Sequence, residues 1–267
     1  MKIQSKLTDV PETMLISIRA RYLETKEKNG IIHDPKSVEI LDQIACDFSG
    51  KKEVSKASQI GTSIRTEILD ELTVAFLKQN PNGIVVNLGC GLDTRYYRLN
   101  NKKVQWFDLD LQQSIALRKN FFSETDNFKF IESSVLDFSW MEQIPKGKPT
   151  LFIAEGLFMY FTQEEVKSVL ENIKSNFTDA EIILEAMSPM IAKNSNKHAD
   201  IKHRDVVFKW GIHSGKEIEK WGIGVKFISE YFYFDRHRDR LPFTYKIMAL
   251  FPFFRKGMKI IHLKFKE

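Results

Sequence analysis

The sequence predicts an α/β fold built on a doubly wound, mostly parallel sheet. Short continuous apolar runs such as "IVVNL" are typical of strands buried on both faces, and they alternate with segments of helical period. The first of these runs passes directly into Gly-Cys-Gly, and the next strand candidate ends in the acidic "DLD". Strands that alternate with helices pair in parallel through crossover connections, so this order favours an open α/β sheet.

Length and charge restrict the class of protein. The chain has 267 residues, 43% hydrophobic and 28% charged, which is ordinary globular composition for one large or two small domains. The formal net charge is +5, an excess that could suit nucleic acid, an anionic membrane or an acidic substrate. Because 40 basic residues are offset by 35 acidic ones, with no run of five like charges, we expect no nucleic-acid partner.

Cysteine count and hydropathy favour a reducing, aqueous compartment. Cys46 and Cys90 are too few for a disulfide framework or a zinc site, so we expect no metal. The N-terminal "MKIQSKLTDVPETM" lacks the apolar core of a signal peptide, and no stretch approaches the roughly 20 apolar residues that span a bilayer. The longest apolar stretches, "LFIAEGLFMYF" and "IMALFPFF", are interrupted by Glu155 and Pro252. We therefore expect a cytoplasmic protein without a membrane partner.

The N-terminal part of the chain predicts helices. "PETMLISIRARYLETK" is consistent with a helix opened by Pro11, and a second helix is expected from about Ser37. "TSIRTEILDELTVAFLKQ" has the pattern of an amphipathic helix and ends at "NPNG", four turn-forming residues. Its apolar stripe consists of Ile64, Ile68, Leu72, Ala75 and Phe76.

The rest of the chain predicts seven strands. Five candidates alternate with helices: "IVVNLG", "VQWFDLD", "FKFIES", "TLFIAEG" and "AEIILEAMS". Helices are expected at "RYYRL", "LQQSIALRKNFF" and "TQEEVKSVLENIKSNF", the last opened by a capping box of Thr162 and Glu165. After a short helix at "SGKEIEKWG", the segments "VKFISEYFYF" and "MKIIHLKFK" predict two late strands, separated by a loop rich in Arg, Pro and Phe. The expected sheet is parallel and ends in an antiparallel pair.

The Gly-Cys-Gly turn after the first strand predicts a ligand site. Ligands of open α/β sheets bind beyond the carboxyl ends of the strands, and Gly89 and Gly91 lack the Cβ atoms that would keep a ligand from the backbone. A dinucleotide fingerprint would have a third glycine where this chain has Thr94. Asp93 would bring a carboxylate near a pyrophosphate. This arrangement favours a positively charged ligand such as S-adenosylmethionine over NAD.

The acid at the end of the second strand indicates a nucleoside. Asp110 follows Gly91 by about 20 residues, the spacing of a carboxylate that hydrogen-bonds a ribose hydroxyl. Asp108 shares its strand face, but Asp110 lies nearer the strand end and is preferred. Alone, a Gly-x-Gly can be a simple turn and such an aspartate can be a helix cap. Together, in this order of strands, the two features predict a nucleoside-type cofactor.

Four segments together resemble a known family. "VVNLGCGLDTRYYRL", "WFDLDLQQSIALRK", "SSVLDFSW" and "LFIAEGLFMYFTQEEV" are similar to motifs of the leucine carboxyl methyltransferase family, most closely of its bacterial branch, which includes carboxyl O-methyltransferases of polyketide tailoring. The resemblance covers roughly residues 61–188. It implies S-adenosylmethionine as cofactor and a Rossmann-like class I methyltransferase fold, with a seven-stranded sheet, an antiparallel C-terminal strand and an N-terminal helical cap.

The resemblance also implies a domain organisation and site residues. We expect one domain over 1–267, with a helical cap at 1–60, a cofactor-binding core at 61–188 and a substrate-side segment with the last strands at 189–267. The cofactor-binding residues carried over by position are Arg65 for the methionine carboxylate, Gly89 and Gly91 for the turn, Asp110 for the ribose, Val135 and Leu136 for the adenine, and Glu155 near the methionine part. Gln112 and the Ser134-Val135-Leu136 loop depart from the pattern of many relatives.

The acceptor of the methyl group is left open by the sequence. The expected partner is a small molecule with a carboxylate or a phenolic hydroxyl; a protein C-terminal carboxylate and an NAD(P)-dependent oxidoreductase are the alternatives. A carboxylate needs no general base, so no catalytic residue is assigned, although His198, His203 and His213 are candidates for a phenol. The acceptor pocket is expected from the N-terminal cap and from the segment after the fifth strand. That segment carries Met187, Met190, Phe208 and Trp210 beside Lys202, His203 and Arg204.

Overall fold

The computed structural model describes residues 3–4, 13–45, 54–194 and 207–266, and these contain a seven-stranded sheet. Its strands are β1 (Ile84–Leu88), β2 (Gln105–Asp110), β3 (Phe128–Glu132), β4 (Thr150–Ala154), β5 (Ala180–Met187), β6 (Val225–Phe232) and β7 (Met258–Phe265). Their order is β3-β2-β1-β4-β5-β7-β6. The first five strands are parallel, and β7 is antiparallel to both β5 and β6.

Helices connect the strands and precede the first one. They are α1 (Met14–Thr25), α2 (Pro35–Gln43), α3 (Lys56–Gln79), α4 (Arg95–Leu99), α5 (Gln112–Arg118), α6 (Gln163–Asn176), α7 (Pro189–Lys193), α8 (Gly215–Glu219), α9 (Phe243–Met248) and α10 (Pro252–Arg255). Short 3₁₀ helices cover Phe138–Gln143, Phe158–Tyr160, Tyr233–Asp235 and Arg238–Arg240. A separate two-residue parallel pairing joins Ile3–Gln4 to Ile44–Ala45.

The core lies on both faces of the sheet. One apolar cluster joins Val86 of β1 and Phe152 of β4 to the buried side of α6, including Val169. The other joins Val85 of β1 to α3 through Ile64 and its neighbours. Strands covered on both sides by helices define the doubly wound architecture, so this prediction is confirmed.

Capping side chains set where several helices begin. Ser55 Oγ accepts a hydrogen bond from the Ser58 amide at 3.1 Å at the start of α3. At the start of α6, the Glu165 amide donates to Thr162 Oγ1 at 3.2 Å and the Thr162 amide donates to the Glu165 carboxylate at 2.7 Å. This reciprocal pair is the capping box expected from the sequence, and the prediction is confirmed.

Several boundaries differ from the sequence-based expectations. Helix α3 begins at Lys56, so the expected limit between cap and core at residue 60 falls inside a helix, and Ala75 of its expected stripe is exposed. Helix α5 ends at Arg118 rather than running through "KNFF". The segment expected as a loop between the late strands contains α9, α10 and two 3₁₀ turns. Pro11 and Cys46 lie outside the described residues.

The sheet order places a crevice beside β1. Strand β2 leaves β1 on one side and β4 lies on the other, so the connections from the two strands diverge at their carboxyl ends. Among the described residues, no helix combines the length and the apolar composition needed to cross a bilayer.

A buried lysine couples the stability of the fold to pH. Lys259 of β7 is fully buried, and its Nζ donates to the backbone oxygens of Ile212 at 2.9 Å and His213 at 3.0 Å. Burial lowers the pKa of Lys259 to about 8 from the ordinary value of 10.5, although Glu230 and Glu217 oppose the shift. Between these two values the unfolded chain binds a proton that the folded chain does not, so stability rises with pH.

We expect the free energy of unfolding of the wild type to gain roughly 1–2 kcal/mol between pH 8 and 9.5 relative to a Lys259→Met variant. Urea denaturation at several pH values measures this difference. The exposed lysine of β6 supplies the control, since Lys226→Met should leave the pH slope of the wild type unchanged. Parallel curves for the wild type and Lys259→Met would contradict the expectation.

Candidate active site

A cavity of about 1070 Å³ lies at the carboxyl ends of β1, β2 and β4. All seven residues that the sequence analysis assigns to the cofactor line it: Arg65, Gly89, Gly91, Asp110, Val135, Leu136 and Glu155. They come from α3, from the turns after β1, β3 and β4, and from the end of β2. The fold therefore brings together residues separated by up to 90 positions, while their binding roles remain predictions.

The glycine turn requires residues without a Cβ. Gly89 has φ +64° and Gly91 has φ +47°, a region that disfavours other residues. A Cβ on Gly89 would lie 2.8 Å from Leu157 Cδ1, and one on Gly91 would lie 3.1 Å from Met14 Cβ. The turn is thus enclosed by the loop after β4 and by α1, and its backbone borders the cavity.

The two aspartates of β2 have different surroundings. Asp110 Oδ2 accepts a hydrogen bond from the Gly91 amide at 2.7 Å, and its Oδ1 accepts one from the Leu111 amide at 2.7 Å. Burial raises the pKa of Asp110, and these two amides oppose the shift. Asp108 is fully buried and is bound by Arg118 and by Trp106 Nε1. Asp110 borders the cavity and Asp108 does not, which agrees with the preference for Asp110.

The loop after β3 supplies an apolar wall. Val135 is buried, and its backbone oxygen accepts a hydrogen bond from Trp140 Nε1 at 3.2 Å. The Leu136 amide donates to Ser134 Oγ at 3.2 Å. Asp137, which the resemblance puts beside them, caps the 3₁₀ helix Phe138–Gln143 and lies outside the cavity lining.

Arg65 lies between two glutamates. Its Nη2 is 2.7 Å from Glu155 Oε1, and its Nη1 donates to Glu185 Oε2 at 2.9 Å. Nη2 also donates to Ser17 Oγ at 3.0 Å, which ties α3 to α1. The buried Nε of Arg65 has no hydrogen-bond partner among the described residues. This Nε is enclosed by protein atoms, so the contacts of Arg65 with its surroundings are made through Nη1 and Nη2.

Glu185 is buried on the far side of Arg65. Its Oε1 accepts a hydrogen bond from the Tyr233 hydroxyl at 2.8 Å, and its Oε2 accepts one from the Gly156 amide at 2.8 Å. Burial and the neighbouring Glu185 carboxylate raise the pKa of Tyr233 well above its ordinary value. This phenol is a donor to Glu185 at neutral pH and not a general base.

Arg95 extends the ionic contacts beneath the turn. Its Nε donates to Asp70 at 2.7 Å, its Nη1 to Asp93 at 2.5 Å and its Nη2 to Glu155 at 2.7 Å. Burial alone would raise the pKa of Glu155, but the guanidinium groups of Arg65 and Arg95 outweigh it and lower the pKa. Asp93 also borders the cavity, but it is bound by Arg95, so its carboxylate is less available to a ligand than we expect from the sequence.

The charge of the cavity wall remains negative. Its described lining contains five carboxylates, Asp93, Asp110, Glu155, Glu165 and Glu185, against three cations, Arg21, Arg65 and Lys209. Such a wall favours a ligand with net positive charge.

The other side of the cavity is apolar. Met187, Met190 and Phe208 line it as expected, together with Met159, Ile191, Tyr245, Met248 and Met258. Trp210 does not, because it is buried against Phe158 and Trp221. Lys202, His203, Arg204 and His198 lie outside the described residues. His213 is exposed, and none of the four described histidines lines the cavity.

Three contributors to the site were not found from the sequence. Glu185 carries the same signal as Glu155, a carboxylate within an apolar strand, and could have been found from it. Tyr233 and Ser17 carry no such signal, because a tyrosine near a strand end and a serine in a helix are ordinary.

Comparison with known families identifies the chain. A model of the leucine carboxyl methyltransferase family matches residues 14–174. The chain is 29% identical over 223 residues to the tetracenomycin polyketide synthesis O-methyltransferase TcmP of Streptomyces glaucescens, covering 83% of this chain and 82% of that protein. It is 27% identical over 242 residues to the S-adenosyl-L-methionine-dependent methyltransferase dpfgK of Gibberella zeae, covering 83% and 81%.

Solved structures share the fold at low identity. A DUF574 family protein from Streptomyces avermitilis matches with a TM-score of 0.60 at 12% identity, covering 94% of this chain and 97% of that one. Magnesium protoporphyrin IX methyltransferase from Synechocystis, solved with bound SAH, matches with a TM-score of 0.53 at 12% identity, covering 81% and 90%. The expected Rossmann-like methyltransferase fold is confirmed. The chain belongs to the leucine carboxyl methyltransferase family and is an S-adenosylmethionine-dependent methyltransferase.

Proposed function

We propose that this enzyme transfers a methyl group to an oxygen of a small molecule, a carboxylate in the first instance and a phenolic hydroxyl in the second. One observation carries the proposal: a single cavity joins the acidic glycine turn to a wall of methionines and aromatic residues. The first region suits a cationic cofactor and the second suits an apolar acceptor. The likeness to an O-methyltransferase over 83% of the chain supports oxygen as the acceptor atom.

Each part of the cofactor has a partner of suitable chemistry among the seven predicted residues. In this proposal Asp110 binds the ribose, Val135 and Leu136 flank the adenine, and the Gly89–Gly91 backbone borders the ligand. Arg65 lines the cavity, and the positive charge of its guanidinium supports a contact with the methionine carboxylate. Glu155 has the opposite charge, and in this proposal it contacts the amino group of the methionine part.

The residues of this chain act by orientation and by excluding water. The bound cofactor supplies an electrophilic methyl group on a sulfonium. Arg21 Nη2 donates to the Leu92 backbone oxygen at 2.8 Å and thereby holds α1 over the turn. Met14 packs on Gly91 in the same region. Holding two reactants in line within such an enclosure lowers the barrier by several kcal/mol without acid–base chemistry.

A carboxylate acceptor is consistent with the cavity lining. Carboxylates are ionised at neutral pH and need no general base. None of the described histidines reaches the cavity, and Tyr233 holds its proton. A phenol would need a general base, and neither a described histidine nor Tyr233 offers one at the cavity, which ranks the phenol second.

Removing the Asp110 carboxylate should weaken nucleoside binding. In Asp110→Ala the Gly91 amide loses its acceptor and the ribose loses its partner, so we expect S-adenosylhomocysteine affinity to fall by about 1–3 kcal/mol. Titration calorimetry measures the change. Asp126→Ala removes an exposed carboxylate outside the cavity and should bind normally. Unchanged affinity in Asp110→Ala would remove this residue from the site.

Two glycine-to-alanine substitutions distinguish the cost of backbone strain from an effect on cofactor binding. Gly89→Ala and Gly147→Ala both place a Cβ at positive φ, but only at Gly89 does it meet a neighbour. We expect Gly147→Ala to lose about 1–2 kcal/mol of stability in urea denaturation, and Gly89→Ala at least as much, because its Cβ also meets Leu157. Only Gly89→Ala should also bind S-adenosylhomocysteine about tenfold more weakly. Equal binding by the two variants would contradict the assigned role of the turn.

The acceptor class is tested with isotopically labelled methyl donor and a metabolite extract. Mass analysis should find the label in small molecules, as esters that mild alkali hydrolyses. With the isolated acceptor, kcat should stay flat from about pH 6 to 9, because a carboxylate is ionised throughout. Alkali-resistant aryl ethers and a rate that rises with pH would instead identify a phenol. Label on protein C-termini, nitrogen or carbon would overturn the proposal.

A further inference from the structure

An apolar surface patch adjoins the mouth of the cavity. Six of the eleven large apolar side chains that are exposed in the described residues fall within positions 243–253: Phe243, Ile247, Met248, Leu250, Phe251 and Phe253. Phe243 is 76% exposed and Leu250 is 73% exposed. Such a concentration is unusual for a free surface and marks a site of interaction. We call positions 243–253 the apolar tip.

The apolar tip is anchored at its base and exposed beyond it. Tyr245 and Phe254 pack with Phe234, with ring centroids 4.7 Å apart for Phe234 and Phe254 and 6.0 Å apart for Tyr245 and Phe254. Ala249 is buried between α9 and α10. Neither helix contains a buried residue of its own. The exposed side chains are therefore held in position by neighbours that face the protein.

The surroundings of the tip are cationic. Three segments that border this side of the cavity, 188–194, 207–213 and 241–258, contain no Asp or Glu, and in the neighbouring segment 233–240 the two aspartates are outnumbered by three arginines. The basic residues of the first three segments are Lys193, Lys209, Lys246, Arg255 and Lys256. The four lysines are exposed, whereas Arg255 is bound to Asp235. Aromatic and aliphatic side chains are thus flanked by exposed positive charge.

We propose that the apolar tip docks the enzyme on an anionic lipid bilayer. Exposed phenylalanine and leucine side chains on short helices, flanked by lysines, are the pattern of a segment that enters the headgroup region without spanning the membrane. Each lysine near such a surface is attracted by the negative potential of its lipids. The two helices of the tip have six and four residues and are too short to span a bilayer.

Charge complementarity favours lipid over a second copy of the chain. A two-fold contact through the tip would bring Lys246 and Lys256 of one copy towards those of the other. Repulsion between these lysines opposes such a dimer, whereas an anionic bilayer is attracted to them at every point of its surface.

Docking would join the cavity to the lipid phase. Tyr245, Met248, Phe253 and Phe254 of the same region line the cavity. An apolar acceptor dissolved in the bilayer would then enter between these side chains without crossing bulk water. The proposal adds a location to the proposed function but does not depend on the identity of the acceptor.

Vesicle sedimentation tests the proposal with the full chain. We expect binding to phosphatidylcholine vesicles that contain about 30 mol % phosphatidylglycerol, little binding to phosphatidylcholine alone, and loss of binding at high salt. Lys246→Gln with Lys256→Gln should reduce partitioning on the order of thirtyfold, at about fivefold for each lysine. Leu250→Ser with Phe251→Ser should reduce it at least tenfold. These four residues lie outside the cavity lining, so S-adenosylhomocysteine affinity should not change.

Matched controls lie on β6, where Ile228→Ser and Lys226→Gln alter an exposed apolar and an exposed basic residue away from the tip. Both should bind vesicles as the wild type does. Equal binding to neutral and anionic vesicles, no binding to either, or unchanged binding by the tip variants would each overturn the proposal. Concentration-dependent dimerisation that the tip variants abolish, without vesicle binding, would assign the tip to a second copy instead. Because cofactor affinity is measured separately, loss of docking and loss of the proposed function are distinguishable.

Discussion

The structure of the site depends on one buried guanidinium. Arg95 is held by Asp70, Asp93 and Glu155 at once, and its side chain is fully buried. Removing Arg95 would take a shared counterion from three carboxylates in an environment of low polarity, which is strongly destabilising. Glu155 in turn forms an ion pair with Arg65 in the cavity wall. The backbone turn after β1 is therefore held in place by the ion pairs of Arg95, while its glycines permit the conformation that the turn adopts.

The same contacts continue in both directions through the molecule. Asp70 also binds Arg98, which reaches Asp34 at the start of α2, and Asp34 in turn binds Arg21 of α1. In the other direction, Arg65 binds Glu185, which accepts a hydrogen bond from the Tyr233 hydroxyl. Four arginines alternate with four carboxylates along this path, and Asp93 adds a fifth carboxylate as a further partner of Arg95. The excess carboxylate is a reason for the negative character of the cavity, and it suits a cofactor that carries a sulfonium and an amino group.

Much of this arrangement could be predicted from the sequence, and the part that could not has a physical explanation. Local patterns located all seven strands, the capping box at Thr162 and the edge where Asp110 borders the cavity, because period and strand-end chemistry are local properties. The partnership of Arg65 with Glu185 spans 120 positions and leaves no local trace. Helices α9 and α10 were expected as a loop, because Pro252 and the aromatic residues conceal two short helices. Ala75 lay on the predicted helical stripe but is exposed, while the adjacent Phe76 and Leu77 are buried in the core.

The path of ions also bears on how proteins of this architecture can be recombined. The N-terminal helices contribute Arg21 and Asp34 to it, and the segment before β7 contributes Tyr233. In a chimaera whose first 45 residues came from a relative, the buried Arg98 would lose Asp34 as a partner. The exchange would be tolerated only if the incoming segment supplied an equivalent carboxylate. The N-terminal helices α1 and α2 are therefore part of the electrostatic framework of the molecule.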